Sequence, residues 1–171
     1  LAEQSINMAM ELFLTYDEEK ANRVVELESE IDKFEDELGT YLVKVGSKKL
    51  PEKDSHIASV LLHCIGDFER ISDHARNLKE AAEEMHVKGI EFSDEAKREL
   101  DVLKKAIHDI LRLSMLSFCE DDLELAKQVE PLEEVIDRLN LEIKQRHVKR
   151  LREGKCTIEL GFILSDIITN F

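Results

Sequence analysis

The composition of this 171-residue chain favours a helical protein and excludes several functional classes. Two Pro, six Gly, no Trp and 5% aromatic residues favour helix over sheet. The formal net charge of −14 argues against binding to nucleic acids or anionic membranes, because the chain and the phosphate groups repel each other.

Apolar periodicity predicts six helices, separated by turn and capping residues. In chain order they cover about 1–15, 17–45, 54–86, 93–119, 122–152 and 157–171. Asp17 is the expected N-cap of the second helix, and Gly89 ends the first half of the chain. The last helix is still in progress at Phe171, so we expect it to be truncated. The predicted fold class is all-α.

The two halves of the sequence repeat each other. A shift of 105 residues pairs seven identical residue types, namely Asp17, Ala21, Val24, Leu27, Glu28, Ile31 and Asp32 with Asp122, Ala126, Val129, Leu132, Glu133, Ile136 and Asp137. Most of these are core positions, which a duplicated three-helix unit needs for packing. We therefore predict two tandem three-helix bundles, residues 1–88 and 93–171, the second incomplete at its C-terminus.

A polar stripe runs along the third predicted helix. Glu69, Asp73 and Asn77 recur every four residues and so lie on one face, opposite the apolar residues. Two further acidic pairs, each one turn apart and away from its helix's apolar face, are Glu28 with Asp32 and Glu133 with Asp137. Stacked oxygen ligands can hold a hard or borderline cation, and the alternative is a plain solvated face.

The chain resembles the PhoU family of phosphate-transport regulators, which are built from two tandem three-helix units. The resemblance lies in the run DFERISDHARN at 67–77 and the segment ESEID at 28–32, which returns as EEVID at 133–137. It implies metal clusters held by paired Glu/Asp-x-x-x-Asp motifs from adjacent helices. The implied ion is divalent or ferric, with iron, manganese, zinc, magnesium and nickel all open.

The resemblance also implies particular ligands. One site would use Glu28, Asp32, Glu69 and Asp73, with Asn77 completing the stripe. A second site would use Glu133 and Asp137, and its other half would lie beyond Phe171.

Two flanking segments resemble the PhoU-like domain at the cytoplasmic C-terminus of sodium/phosphate cotransporters. They are SHIASVLLH at 55–63 and EFSDEA at 91–96. A start at Leu1 rather than Met fits a domain taken from a longer protein. The alternatives are a stand-alone regulator of a phosphate ABC transporter and its sensor kinase, and a purely structural helical adaptor without metal.

We therefore expect a non-enzymatic regulatory domain of phosphate transport, located in the cytoplasm at the inner face of the cell membrane. Its expected partners are the membrane domain of a transporter or a sensor kinase, and a homodimer is a further option. The sequence has no Gly-rich phosphate loop, no CxxC motif and no apolar run of eighteen residues. A hydrolase that uses the carboxylates is the residual enzymatic alternative.

Overall fold

The computed structural model describes residues 1–171, and the chain forms helices without strands. The helices are α1 (Ala2–Glu11), α2 (Glu18–Gly46), α3 (Glu52–Lys88), α4 (Asp94–Glu120), α5 (Leu123–Ala126), α6 (Val129–Arg152) and α7 (Ile158–Asn170). The all-α class is confirmed. No helix is both long enough and apolar enough to cross a membrane.

Capping residues define where the helices begin and end. The Asp17 side chain accepts a hydrogen bond from the Lys20 backbone N–H at 3.0 Å, as predicted for the N-cap of α2. Ser93 and Thr157 cap α4 and α7 in the same way. Gly89 follows α3 with a φ of 62°, a left-handed conformation that glycine adopts without steric cost.

The fifth predicted helix, 122–152, is interrupted. It begins as the single turn α5, capped by Asp122, and restarts at Val129 as α6. Pro131 explains the restart, because proline has no N–H to donate and its ring clashes with the carbonyl four residues earlier, at Lys127. Within the first turn of α6 the same residue is tolerated.

The chain divides into two compact units, Leu1–Lys79 and Glu80–Phe171. In the first unit α1 packs against α2, and the buried apolar residues include Ile6, Ala9, Met10, Val24, Leu27, Ala75 and Leu78. In the second unit α4 packs against α5 and α6, and α6 contacts α7; its buried residues include Leu103, Ile107, Ile136, Ile143, Ile163 and Ile167. The compact units divide within α3, whereas the boundaries predicted from the repeat, 1–88 and 93–171, follow the turn after it.

Candidate metal site

The candidate site lies on α2 and α3 within the first unit, where the predicted carboxylates influence each other's ionisation. Desolvation raises the pKa of Asp32, and the negative charges of Glu28 on its own helix and Asp73 on α3 raise it further. Asp36 adds to the same effect. Like charges that lie close together favour the protonated form of a carboxyl group, so part of this pKa shift reflects the crowding of acidic groups around Asp32.

Glu69, on α3, is affected by the same crowding of acidic groups. Desolvation raises its pKa, followed by the charge of Asp73 and a side-chain hydrogen bond with it. The charges of Glu35 and Asp32, both on α2, raise it further. The four predicted ligands Glu28, Asp32, Glu69 and Asp73 therefore belong to one electrostatic group. With Glu35 and Asp36 they form what we call the acidic cluster.

Sequence reasoning missed two members of the acidic cluster. Glu35 and Asp36 follow Asp32 by three and four residues on α2, so they lie on the neighbouring turn of the same face. The i,i+4 spacing that singled out Glu28 and Asp32 would have extended the stripe to Asp36.

A basic residue also lies in this region and was missed as well. Arg76 Nη1 donates a hydrogen bond to Glu28 Oε1 at 2.5 Å, across the interface between α3 and α2. Glu28 is only 7% exposed, whereas the Arg76 side chain is 48% exposed. A buried carboxylate needs a partner to offset the loss of hydration, and the Arg76 guanidinium supplies one.

The donor chemistry of the acidic cluster fits a hard or borderline cation. Carboxylate oxygens from two helices are the ligands that such ions prefer, and a cation would relieve the repulsion that raises the pKa of Asp32 and of Glu69. The side chains are not arranged as a formed metal centre, because no three His, Cys, Asp or Glu residues come together in that geometry. Side-chain rotation would be needed to bring the oxygens onto one ion.

The remaining predicted ligands are not part of the acidic cluster. Asn77 is exposed on α3, one turn beyond Asp73. Glu133 and Asp137 are exposed on α6 in the second unit, and the structure groups no third acidic residue with them as a metal centre. Their role as ligands therefore stays a prediction.

The fold and the repeated sequence place the chain in the class of all-α helical-bundle proteins, and the acidic cluster gives its first unit a strongly acidic face. The sequence model of the PhoU domain matches residues 1–82 and 100–171, so the chain belongs to the PhoU family. This is a regulatory, non-enzymatic family that works with phosphate transport systems.

Two known proteins illustrate the similarity. The phosphate-specific transport system accessory protein PhoU homolog 1 of Thermotoga maritima is 27% identical over 164 residues, which cover 95% of this chain and 70% of that protein. The crystal structure of PhoU from Pseudomonas aeruginosa superposes with a TM-score of 0.90 at 19% identity, covering 99% of this chain and 80% of that one. At that identity the superposition shows a common fold.

Proposed function

We propose that this protein regulates phosphate uptake as a stand-alone PhoU regulator, acting in the cytoplasm with a phosphate transporter and its sensor kinase. The support is the Thermotoga maritima relative, a phosphate-specific transport accessory protein that aligns over 95% of this chain. The sequence-based interpretation favoured a cotransporter domain on the flanking segments 55–63 and 91–96. The comparisons support its alternative, the stand-alone regulator, better.

The proposed mechanism uses the acidic cluster as a cation sensor. A bound divalent or ferric ion would supply positive charge between the carboxylates of α2 and α3. Glu28, Asp32, Glu69 and Asp73 would hold it. The observation that carries this proposal is the grouping of carboxylates of α2 and α3 around the Arg76–Glu28 contact, which joins the two helices. The raised pKa of Asp32 and of Glu69, each caused in part by a carboxylate on the other helix, supports it.

Because a bound ion would relieve the repulsion between the carboxylates, it would favour one packing arrangement of α2 against α3 over others. A partner that binds this arrangement more tightly would then respond to the ion, since a ligand shifts an equilibrium by its difference in affinity for the two states. In this way Asp32 and Asp73 would couple cation concentration to the surface presented to the transporter.

Phosphate uptake in the source cell tests the regulatory role. We expect deletion of the gene to alter uptake and the Asp73→Ala variant to reproduce that change. The Asp67→Ala variant, which removes an exposed carboxylate from another face of the same helix, should behave as the wild type. Unchanged uptake in the deletion strain contradicts the proposed function. The genomic sequence upstream of Leu1 separates the two subfamilies, because transmembrane helices there select the cotransporter domain.

A helical adaptor that binds a partner without metal is the second candidate. It is favoured by large apolar side chains exposed near the end of α2 and the start of α3: Phe34, Leu38, Tyr41, Val43, Ile57, Val60, Leu61 and Leu62. Exposed apolar groups of this size on neighbouring turns are typical of interaction surfaces. Partner binding that persists in a chelator and in the Asp73→Ala variant would favour the adaptor.

A further inference from the structure

Arg76 is the positively charged group that the structure places against the acidic cluster. It follows Glu69 by seven residues and Asp73 by three, so all three side chains project from one side of α3. Its guanidinium donates to Glu28 Oε1, and its charge lowers the pKa of Asp32 while the neighbouring carboxylates raise it. Arg76 therefore acts on carboxylates of α2 that are proposed ligands.

The two partners differ in how far water reaches them. Glu28 is 7% exposed and is held within α2, whereas the Arg76 side chain is 48% exposed at the end of a long flexible stem. An arginine in that position can turn its charged head into water while its aliphatic part stays in contact with the helix. Glu28 would be left without this partner unless another cation replaced the guanidinium.

We propose that Arg76 is a built-in counter-cation that occupies the place beside Glu28 and competes with a bound metal ion for the acidic cluster. This inference rests on the proposed cation binding and adds the residue that regulates it. In the metal-free protein the Arg76 guanidinium balances the negative charge of Glu28. When an ion binds, the guanidinium moves away from Glu28. Arg76 thereby sets the cation concentration at which the site fills.

Calorimetric titration of the whole chain with Mn²⁺ and with Zn²⁺ at pH 7 tests the competition. Arg76→Gln should bind Mn²⁺ roughly tenfold more tightly than the wild type, because one positive charge beside a divalent ion is removed. Arg76→Lys keeps the charge and should stay close to the wild type. The matched control is Arg23→Gln, which removes an arginine of α2 paired with Glu26 and Glu30, outside the acidic cluster.

A second measurement uses the unmodified protein, in case Arg76→Gln folds poorly after losing the partner of a buried carboxylate. The side-chain Nε–H signal of Arg76 in an ¹⁵N spectrum, assigned by its absence in Arg76→Lys, should shift when Zn²⁺ is added. The Arg23 signal should not shift. A shift confined to Arg76 supports release of the guanidinium.

The outcomes separate this inference from the proposed function. Suppose that the wild type binds either ion. If Arg76→Gln then binds it no more tightly, or if Arg23→Gln tightens binding equally, Arg76 does not compete with the ion, whereas the proposed cation binding is unaffected. An Arg76 signal that does not move at saturating Zn²⁺ also overturns the inference. If neither the wild type nor Arg76→Gln binds Mn²⁺ or Zn²⁺, the proposed cation site is wrong, and the inference is overturned with it.

Discussion

The buried ion pair between Glu99 on α4 and Arg150 on α6 should make the second unit sensitive to the loss of either charge. Arg150 Nη1 and Nη2 donate to the two carboxylate oxygens of Glu99 at 2.9 and 2.8 Å. The two side chains are only 9% and 6% exposed. The Arg146 guanidinium, which is half exposed, approaches the same carboxylate at 3.6 Å. Removal of the Glu99 charge would leave the Arg150 guanidinium buried without its bidentate partner.

The expected cost follows from that burial. Breaking one side of a buried ion pair typically lowers the free energy of unfolding by about 3–5 kcal/mol. With a slope of about 2 kcal/mol per molar urea, the unfolding midpoint of Glu99→Gln should fall by roughly 1–3 M. Urea titration monitored by circular dichroism gives the midpoint, and hydrogen exchange of α4 and α6 assigns the loss to the second unit.

Two comparison variants make this prediction specific. Glu134→Gln breaks a pair with Arg138 whose side chains are 66% and 77% exposed, so its cost should be about 0.5 kcal/mol or less. Replacing both Glu99 and Arg150 by Leu and Met should cost less than Glu99→Gln alone, because no uncompensated charge remains. If Glu99→Gln lowers the free energy of unfolding no more than Glu134→Gln does, burial of the ion pair does not have the predicted effect.

Three further predictions concern the second unit and the acidic cluster. A Cβ at Gly161 would lie 2.9 Å from Nε2 of the buried His147, so Gly161→Ala should cost about 1–3 kcal/mol of stability. In a His147→Ala background the same change should be favourable, since Ala is the better helix former by about 1 kcal/mol. Desolvation and the charge of Arg150 lower the pKa of His147, so the unfolded state takes up a proton first and stability should decrease as the pH falls below about 6.5. The pKa of Asp32 is raised in the folded state, so metal-free stability is lost as the pH rises through that pKa, and Asp32→Asn should raise the melting temperature at pH 7 without metal.

Thermal and urea unfolding measurements test all three predictions. Equal effects of Gly161→Ala with and without His147 would show that the ring is not the obstacle. A pH profile that His147→Gln leaves unchanged would show that another group titrates. A lower melting temperature for Asp32→Asn in chelator would show that the carboxylates do not repel each other.

Local signals allowed most of the fold to be predicted. The Asp17 cap and the apolar periodicity of α2 and α3 involve residues close in sequence, and the structure confirms both. The break before α6 was missed, although Pro131 carries that information, because the apolar pattern continues across it.

The candidate site was predictable only in part, for a physical reason. The i,i+4 spacing of Glu28 with Asp32, and of Glu69 with Asp73, reveals which carboxylates share a face of one helix. It does not reveal which groups meet between two helices. The Arg76–Glu28 contact joins residues 48 positions apart and depends on the rotation of α3 against α2, which only packing determines.

Anomalous diffraction from crystals grown with Mn²⁺ tests the central claim most directly. We expect an anomalous peak between α2 and α3 of the first unit, within about 2.0–2.6 Å of carboxylate oxygens of Asp32 and Asp73. The Arg76 guanidinium should then be turned away from Glu28. The absence of a peak at the acidic cluster at millimolar Mn²⁺, with Arg76 still bound to Glu28, would contradict the proposed cation site.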